Sequence, residues 1–235
     1  GMASSGDAPG TNRFILNDQY WFDGAIGITL TGNIAVNCTL SQGARPIGKP
    51  MVVTRTDKHV IHELGGKPAI KALNEIIDTL GPLERNLVKS NGVLVGRVIN
   101  EYQSRFGRGD FLVRKVVGYD DEAGVIAIND SRLRVGQTVQ FHVQDRDTAV
   151  EDFTMLLDLQ RIKGDLCGAF IFPSHTRTKS FFGVKPTDAQ LVYDALGDLP
   201  MAGFFATGEI GPVGNDNYMH SHTVSMVTFG PQSDA

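Results

Sequence analysis

Over much of the chain apolar and polar positions alternate with a period of two, the spacing that turns one face of a strand toward a core. From Gly24 the run GAIGITL, a turn at Gly32-Asn33 and the run IAVNCTL predict a β-hairpin over 24–40. MVVTRT and HVIHEL, separated by Asp57-Lys58 and ended by Gly65-Gly66, predict a second strand pair. Further strand signals follow in GVLVGRVI, FLVRKVVGY, GVIAIN, TVQFHVQ, CGAFIFP, MAGFFATG and HTVSMVTF.

Helical spacing occurs in three places. Ile70, Leu73, Ile76, Ile77 and Leu80 recur at helical steps between Pro68 and a stop at Gly81-Pro82, which predicts a helix near 67–80. A capping box of Thr148 and Glu151 precedes the stripe Val150, Phe153, Leu156 and Leu157 and predicts a helix near 147–163. Thr187 and Gln190 introduce Leu191, Val192 and Leu196 in the same way, near 187–196. Strands arrive in runs before a helix intervenes, so the fold class is α+β: a mainly antiparallel or mixed β-sheet with three principal helices. Two lobes are expected to meet near Arg105–Gly109, and the small, polar residues 1–13 are expected to form a disordered arm.

Composition narrows the function classes. The chain has 235 residues and a formal net charge of −4, so it lacks the basic surplus that nucleic-acid partners require. No apolar run approaches the length of a membrane span and no basic-then-apolar leader opens the chain, so the expectation is a cytoplasmic protein without a membrane partner. Cys38 and Cys167 stand far apart with no second thiol nearby. They are expected to be small buried hydrophobes rather than a disulfide or zinc ligands.

Candidate chemistry concentrates in two loops. Gly203-Phe204-Phe205-Ala206-Thr207-Gly208-Glu209-Ile210-Gly211-Pro212-Val213-Gly214 runs from an apolar strand into a turn with several glycines and one carboxylate. That mix suits close approach of backbone to a ligand, and equally a tight connection in which Glu209 satisfies backbone N–H groups. The stretch Ser41–Gly48 places two glycines and a proline around Arg45. His220 and His222, two apart in a strand-like segment, are expected to share a face and could offer a metal or axial haem position. An enzyme reading would use Glu209 with His220 or His175 as acid and base, with Ser174 as nucleophile, but no GxSxG, GxGxxG, P-loop or HExxH motif supports a named reaction. Phe181-Phe182 and Tyr20-Trp21-Phe22 are candidate contacts for a protein-interaction module.

PMAGFFATGEIGPVG followed by MHSHTVSMVTF resembles the closing motif of the FIST C-terminal domain, and Ser41–Gly48 resembles the SQGCRPIG segment near the end of the FIST N-terminal domain. GMASSG resembles the Gly-Gly-x-Ala-Ser-x-Gly stretch of that N-terminal domain, and FLVRKVVGYDDEAG, LRVGQTVQFHVQD and AFIFPSHTRTKSFFG resemble the family's intervening blocks in order. The resemblance implies a remnant of the N-terminal domain at 14–50 and a C-terminal domain at 51–235. It further implies a non-catalytic sensory module of intracellular signal transduction that binds a small ligand such as an amino acid, or alternatively a haem-based nitric-oxide sensor. The implied partner is a downstream signalling protein; the hairpin at 24–40 without the rest of its sheet would leave an open strand edge, so a homodimer or a covered edge is expected. No cofactor is required, with haem the one candidate. Gln42, Arg45, Pro46, Gly48, Arg177, Gly208, Glu209, Gly211, Pro212 and His220 fall on the family's motif positions. Where the family often has cysteines this chain has Ala44 and Ser174, and Thr176-Arg177-Thr178 replaces Gly-Arg-Gly, so thiol chemistry there is ruled out. Arg45 and Arg177 beside Glu209 would suit a zwitterion, with Glu209 bracing an arginine as the plainer alternative. The loops 42–48, 174–179 and 208–220 are expected to line one pocket.

Overall fold

A computed structural model describes residues 1–3, 6, 8–103, 105–183 and 187–232. Two short strands, β1 (Phe14–Leu16) and β2 (Gln19–Trp21), precede β3 (Ala35–Ser41), β4 (Ala44–Asp57), β5 (Val60–Leu64) and β6 (Lys67–Pro68). Helices α1 (Ala69–Thr79) and α2 (Pro82–Asn91) lead to β7 (Leu94–Val98), β8 (Phe111–Asp120), β9 (Val125–Ile128) and β10 (Thr138–Gln144). Then come α3 (Arg146–Ile162), β11 (Gly168–Pro173), α4 (Lys179–Phe182) and α5 (Asp188–Leu196). The last strands are β12 (Met201–Gly203), β13 (Glu209–Val213), β14 (Asp216–His220) and β15 (Val224–Gly230). The class is α+β with mostly antiparallel sheet, as the strand runs imply. Among the described residues no helix is long and apolar enough to cross a membrane.

The chain divides into two compact units. The division falls at 41/42 and 152/153, with 213–216 grouped with the middle segment, so Arg105–Gly109 lies inside one unit rather than at a boundary. In the unit built on 42–152, the barrel unit, a seven-stranded sheet runs β4-β10-β7-β8-β9-β5-β6 and a further β4–β5 pairing closes it. Closure leaves the central strands without free edges. Strand β4 is long enough to serve both neighbours: Ala44–Val52 pairs with β10 and Val53–Asp57 with β5. Its inward residues Ile47 and Val53 join Ile61, Leu64, Val95, Ile126 and Phe141 in a core that α1 caps with Ile70 and Leu73. Gly48 makes this possible. Its φ is +64°, and a Cβ there would lie 2.7 Å from Ile76 of α1.

In the second unit, the sheet unit, the strand order is β12-β11-β15-β3, with β11–β12 parallel and the other pairs antiparallel. Ile171, Met226 and Thr39 sit opposite one another on one face. Gln160 of α3 lies on that face, its amide donating to Thr39 Oγ1 at 2.9 Å and accepting from Thr228 Oγ1 at 3.0 Å. A buried amide is tolerated there because both its ends are bonded.

All three predicted helices form. A fourth, α2, was masked by the Gly81-Pro82 pair, which ends α1 and also begins α2: Pro82 takes the first helical position, where a missing N–H costs nothing, and Glu84 accepts from the Gly81 N–H at 3.3 Å. No residue of α2 is fully buried; Leu87 and Val88 pack half-buried against the core, a stripe too short to read as helical spacing. The expected hairpin at 24–40 does not form. Its second arm becomes β3 and pairs with β15, while the first arm, interrupted by Gly24 and Gly27, is irregular and leaves Ile26, Ile28 and Leu30 exposed. The hairpin near the start is β1–β2, turned by Asn17 and Asp18 in the left-handed region (φ 51° and 61°). Residues 4, 5 and 7 of the expected arm lie outside the described residues, whereas the Met2 N–H donates to the Gly208 carbonyl at 2.8 Å and Ala3 bridges to Ala206. Cys38 and Cys167 are exposed rather than buried. Cys38 falls between inward-facing positions on the edge strand β3, and Cys167 lies just before β11.

His142 of β10 is a buried titratable group of the barrel unit without an ion-pair partner among the described residues. Its ring packs edge-on to Phe111 at 5.0 Å, and a Cβ on Gly96 would meet it at 2.5 Å. Burial pushes its pKa down to about 4, against a weaker opposing bond to the Gln140 carbonyl. Below pH 6.5 the unfolded chain takes up a proton that the folded chain refuses, so stability falls as pH drops from about 6.5 toward 4. The size is on the order of 3 kcal/mol. Denaturant midpoints of the parent and His142→Leu, measured from pH 4 to 8, should converge as pH falls; a difference that does not change with pH would contradict a neutral buried imidazole.

Candidate functional site

Glu209 opens β13 and has no exposed surface. One carboxylate oxygen, Oε2, accepts from the Thr223 N–H at 3.2 Å and the Thr223 hydroxyl at 3.0 Å. Burial raises the carboxyl above its ordinary range, opposed by these two bonds, by the Ser174 hydroxyl and by His175. Oε1 has no hydrogen-bond partner among the described residues. Ser174, itself buried, accepts from Thr176 Oγ1 at 3.1 Å and from the His222 N–H at 3.3 Å. Its own proton therefore remains for the carboxylate. Because Thr176 donates to Ser174, the contact of 2.9 Å between Thr176 Oγ1 and His222 Nδ1 requires the proton to sit on Nδ1.

The glycines around this carboxylate answer to close packing. A Cβ on Gly211 would come 2.8 Å from Leu40, one on Gly208 2.9 Å from the Met2 sulfur, and one on Gly203 would run into the Ile171 carbonyl. Pro212 follows, half-buried. His220 is buried at the end of β14, and its Nε2 donates to the Gly211 carbonyl at 3.1 Å. The expectation that His220 and His222 share a strand face fails: β14 stops at His220, and His222 turns into the left-handed region at φ 66°. Among the described residues no three His, Cys, Asp or Glu groups are placed to hold a metal ion.

Arg177 belongs to the same unit and carries a different load. Its Nε donates to Asp188 Oδ2 at 2.9 Å and its Nη2 to Asp188 Oδ1 at 2.6 Å, with both side chains almost wholly buried. The guanidinium lies 5.3 Å from the Phe182 ring centroid, and Nη1 has no hydrogen-bond partner among the described residues. Asp188 occupies the first turn of α5, where the helix dipole favours an anion, and Thr187 caps that helix by accepting from the Gln190 N–H at 3.3 Å. The pair stands in the wall of a cavity of about 630 Å³ whose other walls are chiefly Ile171, Pro173, Met201, Phe204 and Phe205.

The remaining expected residues form a separate cluster in the barrel unit. Arg45 donates to Asp145 through Nε at 2.9 Å and Nη2 at 2.7 Å. Asp145 also accepts from the Thr148 N–H at 3.1 Å, so it, rather than Thr148, caps α3; the Glu151 expected to close a box with Thr148 instead pairs with Arg108 at 2.6 Å. Burial pushes the Asp145 carboxyl up, but the Thr148 and Arg45 bonds outweigh it and hold it below the ordinary range. Gln42 fills a ladder position on β8, its amide donating to the Phe111 carbonyl at 2.7 Å and accepting from the Val113 N–H at 3.0 Å. Pro46 and Arg45 line a polar cavity of about 510 Å³.

Gln42, Arg45, Pro46 and Gly48 are thus assembled within the barrel unit, and Arg177, Gly208, Glu209, Gly211, Pro212 and His220 within the sheet unit. Each arginine takes an aspartate of its own unit, so the reading in which Glu209 braces an arginine gives way to one in which Thr223 holds Glu209. Asp188, Asp145 and Thr223 were missed. For Asp188 a signal existed, an acid immediately after the Thr187 cap of a predicted helix. Asp145 had the cap signal too, an acid directly before α3, but its pairing with Arg45 and that of Thr223 with Glu209 had none, since those partners lie far off in sequence.

Comparison with known proteins agrees with the motif resemblance. A model of the FIST N domain matches residues 1–67 and one of the FIST C domain matches residues 69–212. The uncharacterized protein Mb0898c of Mycobacterium bovis is 39% identical over 231 residues, covering 97% of this chain and 59% of the relative. The uncharacterized protein MT0656 of Mycobacterium tuberculosis is also 39% identical over 231 residues, with 97% of this chain and 60% of the relative covered. The chain therefore spans about three fifths of the length of these relatives.

The environment of Glu209 has a testable sign. Its folded pKa is raised, so its contribution to stability is complete below the unfolded carboxyl range and is lost as pH rises through the folded value. Relative to Glu209→Gln, the parent should lose denaturant resistance between about pH 4.5 and neutrality. A parent that instead gains on the variant over that interval would mean that the carboxylate is ionised and stabilising.

Proposed function

The chain belongs to the FIST family, and from that premise we propose that it is a non-catalytic sensory module whose sheet-unit cavity takes a small ligand and reports it to a downstream signalling protein. FIST domains are associated with signal-transduction sensing. The observation that carries the reading is the buried Arg177–Asp188 pair in the wall of an open, largely carbon-lined cavity of about 630 Å³, a volume in the range of small-molecule sites. The groups an enzyme would use support it from the other side. Ser174 accepts two hydrogen bonds and faces Glu209, His175 Nδ1 lies 3.3 Å from the Ala206 carbonyl, and His220 bonds Gly211. Each of these groups is held by a local hydrogen bond, and none of those bonds pairs the Ser174 hydroxyl with a histidine base.

Within this reading Arg177 contacts the ligand, and Gly208, Glu209, Gly211, Pro212 and His220 shape the loop that continues from the cavity wall at Phe205. The Arg45 cluster, with Gln42, Pro46 and Gly48, holds the barrel unit together beside its own polar cavity. A cytoplasmic location suits such a module. The exposed Tyr20 (66%), Trp21 (51%) and Phe22 (52%) favour a second, compatible role: a contact surface for the signalling partner or for a second copy of the chain.

Isothermal titration against a panel of small metabolites tests the reading. At least one compound should bind, and Ala189→Trp, which places an indole in the cavity wall from the exposed first turn of α5, should abolish that binding while the chain stays folded. A panel without binders, or a binder indifferent to the tryptophan, would remove the cavity from the account.

A further inference from the structure

Resting on the cavity reading above, we infer that the ligand is a monoanion with an apolar body, an aliphatic or aromatic carboxylate, rather than a free amino acid or another zwitterion. Three observations lead there. The first is the lining: Ile171, Pro173, Met201, Phe204 and Phe205 present carbon over most of the wall, and such a surface gains free energy only from an apolar partner.

The second is the charge at the polar end. Arg177, Lys179 and Asp188 are the charged residues of the lining, two cations against one anion. Both oxygens of Asp188 are already taken, at 2.6 and 2.9 Å, by Arg177. Glu209 is turned to Thr223 and does not line the cavity. An ammonium entering here would leave water for a wall with no free carboxylate, which carries a heavy desolvation cost. A carboxylate meets the reverse situation: Asp188 is already bonded to Arg177, and Lys179 leaves the lining with a net positive charge.

The third observation is the donor left over. Arg177 is 1% exposed, yet Nη1 has no hydrogen-bond partner among the described residues. A guanidinium offers five N–H donors in a fixed fork, and Asp188 on the Nε/Nη2 edge leaves the Nη1 side unmet. Thr187 adds a hydroxyl on the same lining; its oxygen accepts from the Gln190 N–H, so its proton remains to be donated. The guanidinium is held in place by the Phe182 ring at 5.3 Å, which fixes the direction of the remaining donor before any ligand arrives.

A matched set of probes tests this on the whole chain: phenylpropanoate, phenylalanine and phenylpropanol share one body and differ in the groups at its end. Titration calorimetry should show phenylpropanoate binding at least about tenfold more tightly than either of the others, the ratio expected of a charge-assisted contact. Removing Arg177 alone would strand Asp188 in the interior, so the informative variant is the double Arg177→Met, Asp188→Leu, which replaces the ion pair by carbon of similar volume. It should keep the fold by circular dichroism and lose the preference for the acid over the alcohol. The single Lys179→Gln should weaken phenylpropanoate by a few-fold only, since Lys179 is exposed. Phenylalanine binding as tightly as phenylpropanoate would overturn the monoanion assignment and leave the sensory cavity standing. So would a double variant that still prefers the acid, which would place the recognising charge elsewhere. If none of the three binds while another metabolite titrates and is blocked by Ala189→Trp, the ligand class is wrong and the cavity right; if nothing titrates at all, both fall together.

Discussion

A guanidinium with almost no exposed surface persists only because Asp188 takes two of its donors, and much of the sheet unit is arranged around that requirement. The pair ties the loop after β11 to the first turn of α5, with Thr187 closing the helix end and Phe182 covering the charge. Breaking such a pair by removing one member costs roughly 3–5 kcal/mol, whereas replacing both members by carbon is often neutral. A buried pair of this kind is therefore weak evidence for stability as such. It is better evidence that the position needs a charge, and the cavity in whose wall the arginine stands supplies a reason for that need.

The barrel unit solves the parallel problem with the same chemistry and a different purpose. Asp145 caps α3 through the Thr148 N–H and holds Arg45 with the same carboxylate, so one side chain ends a strand connection, starts a helix and neutralises an arginine. The Asp145 carboxyl lies below its ordinary range because the Thr148 and Arg45 bonds to it outweigh its burial. Glu209 is the reverse case, a buried carboxyl raised by burial and bonded on one oxygen only. The two acids show why motif position alone does not assign a role. Both sit beside family-like loops, and only their surroundings tell them apart.

What was legible in the sequence was what local periodicity encodes. The stripe Ile70, Leu73, Ile76, Ile77 forms α1 because three- and four-residue steps place those side chains on one face. The run IAVNCTL was legible as a strand, but its partner was not: alternation says which face is inward and is silent on whether the neighbour is the preceding run or β15, nearly two hundred residues later. Helix α2 escaped because its half-buried Leu87 and Val88 make too short an apolar stripe to read, and its start is marked by Pro82 and Glu84. At the candidate site the motif positions were legible and their pairings were not. Arg177 and Arg45 were visible as charges in permissive loops, whereas their common solution, an aspartate near the start of a helix, depends on tertiary placement that spacing does not carry.

The loop from Ser174 to Arg177 is the element that joins the two chemistries of the sheet unit. It is a tight turn closed by the Arg177 N–H donating to the Ser174 carbonyl at 2.8 Å, and it is pinned to the chain before Glu209 by the His175 N–H on the Ala206 carbonyl, also at 2.8 Å. Ser174 and Thr176 direct their hydroxyls to the Glu209 and His222 side, while Arg177 stands in the cavity wall. An anion drawing on the Nη1 side of Arg177 therefore acts on the same short turn whose other side chains set the environment of a buried carboxyl with a raised pKa. On the proposed reading, any change that a bound anion makes in the ionisation of Glu209 is matched by an equal effect of that ionisation on the anion's affinity. The β13–β14 hairpin begins at Glu209 and ends at His220, so on the proposed reading it is the element that such coupling reaches first.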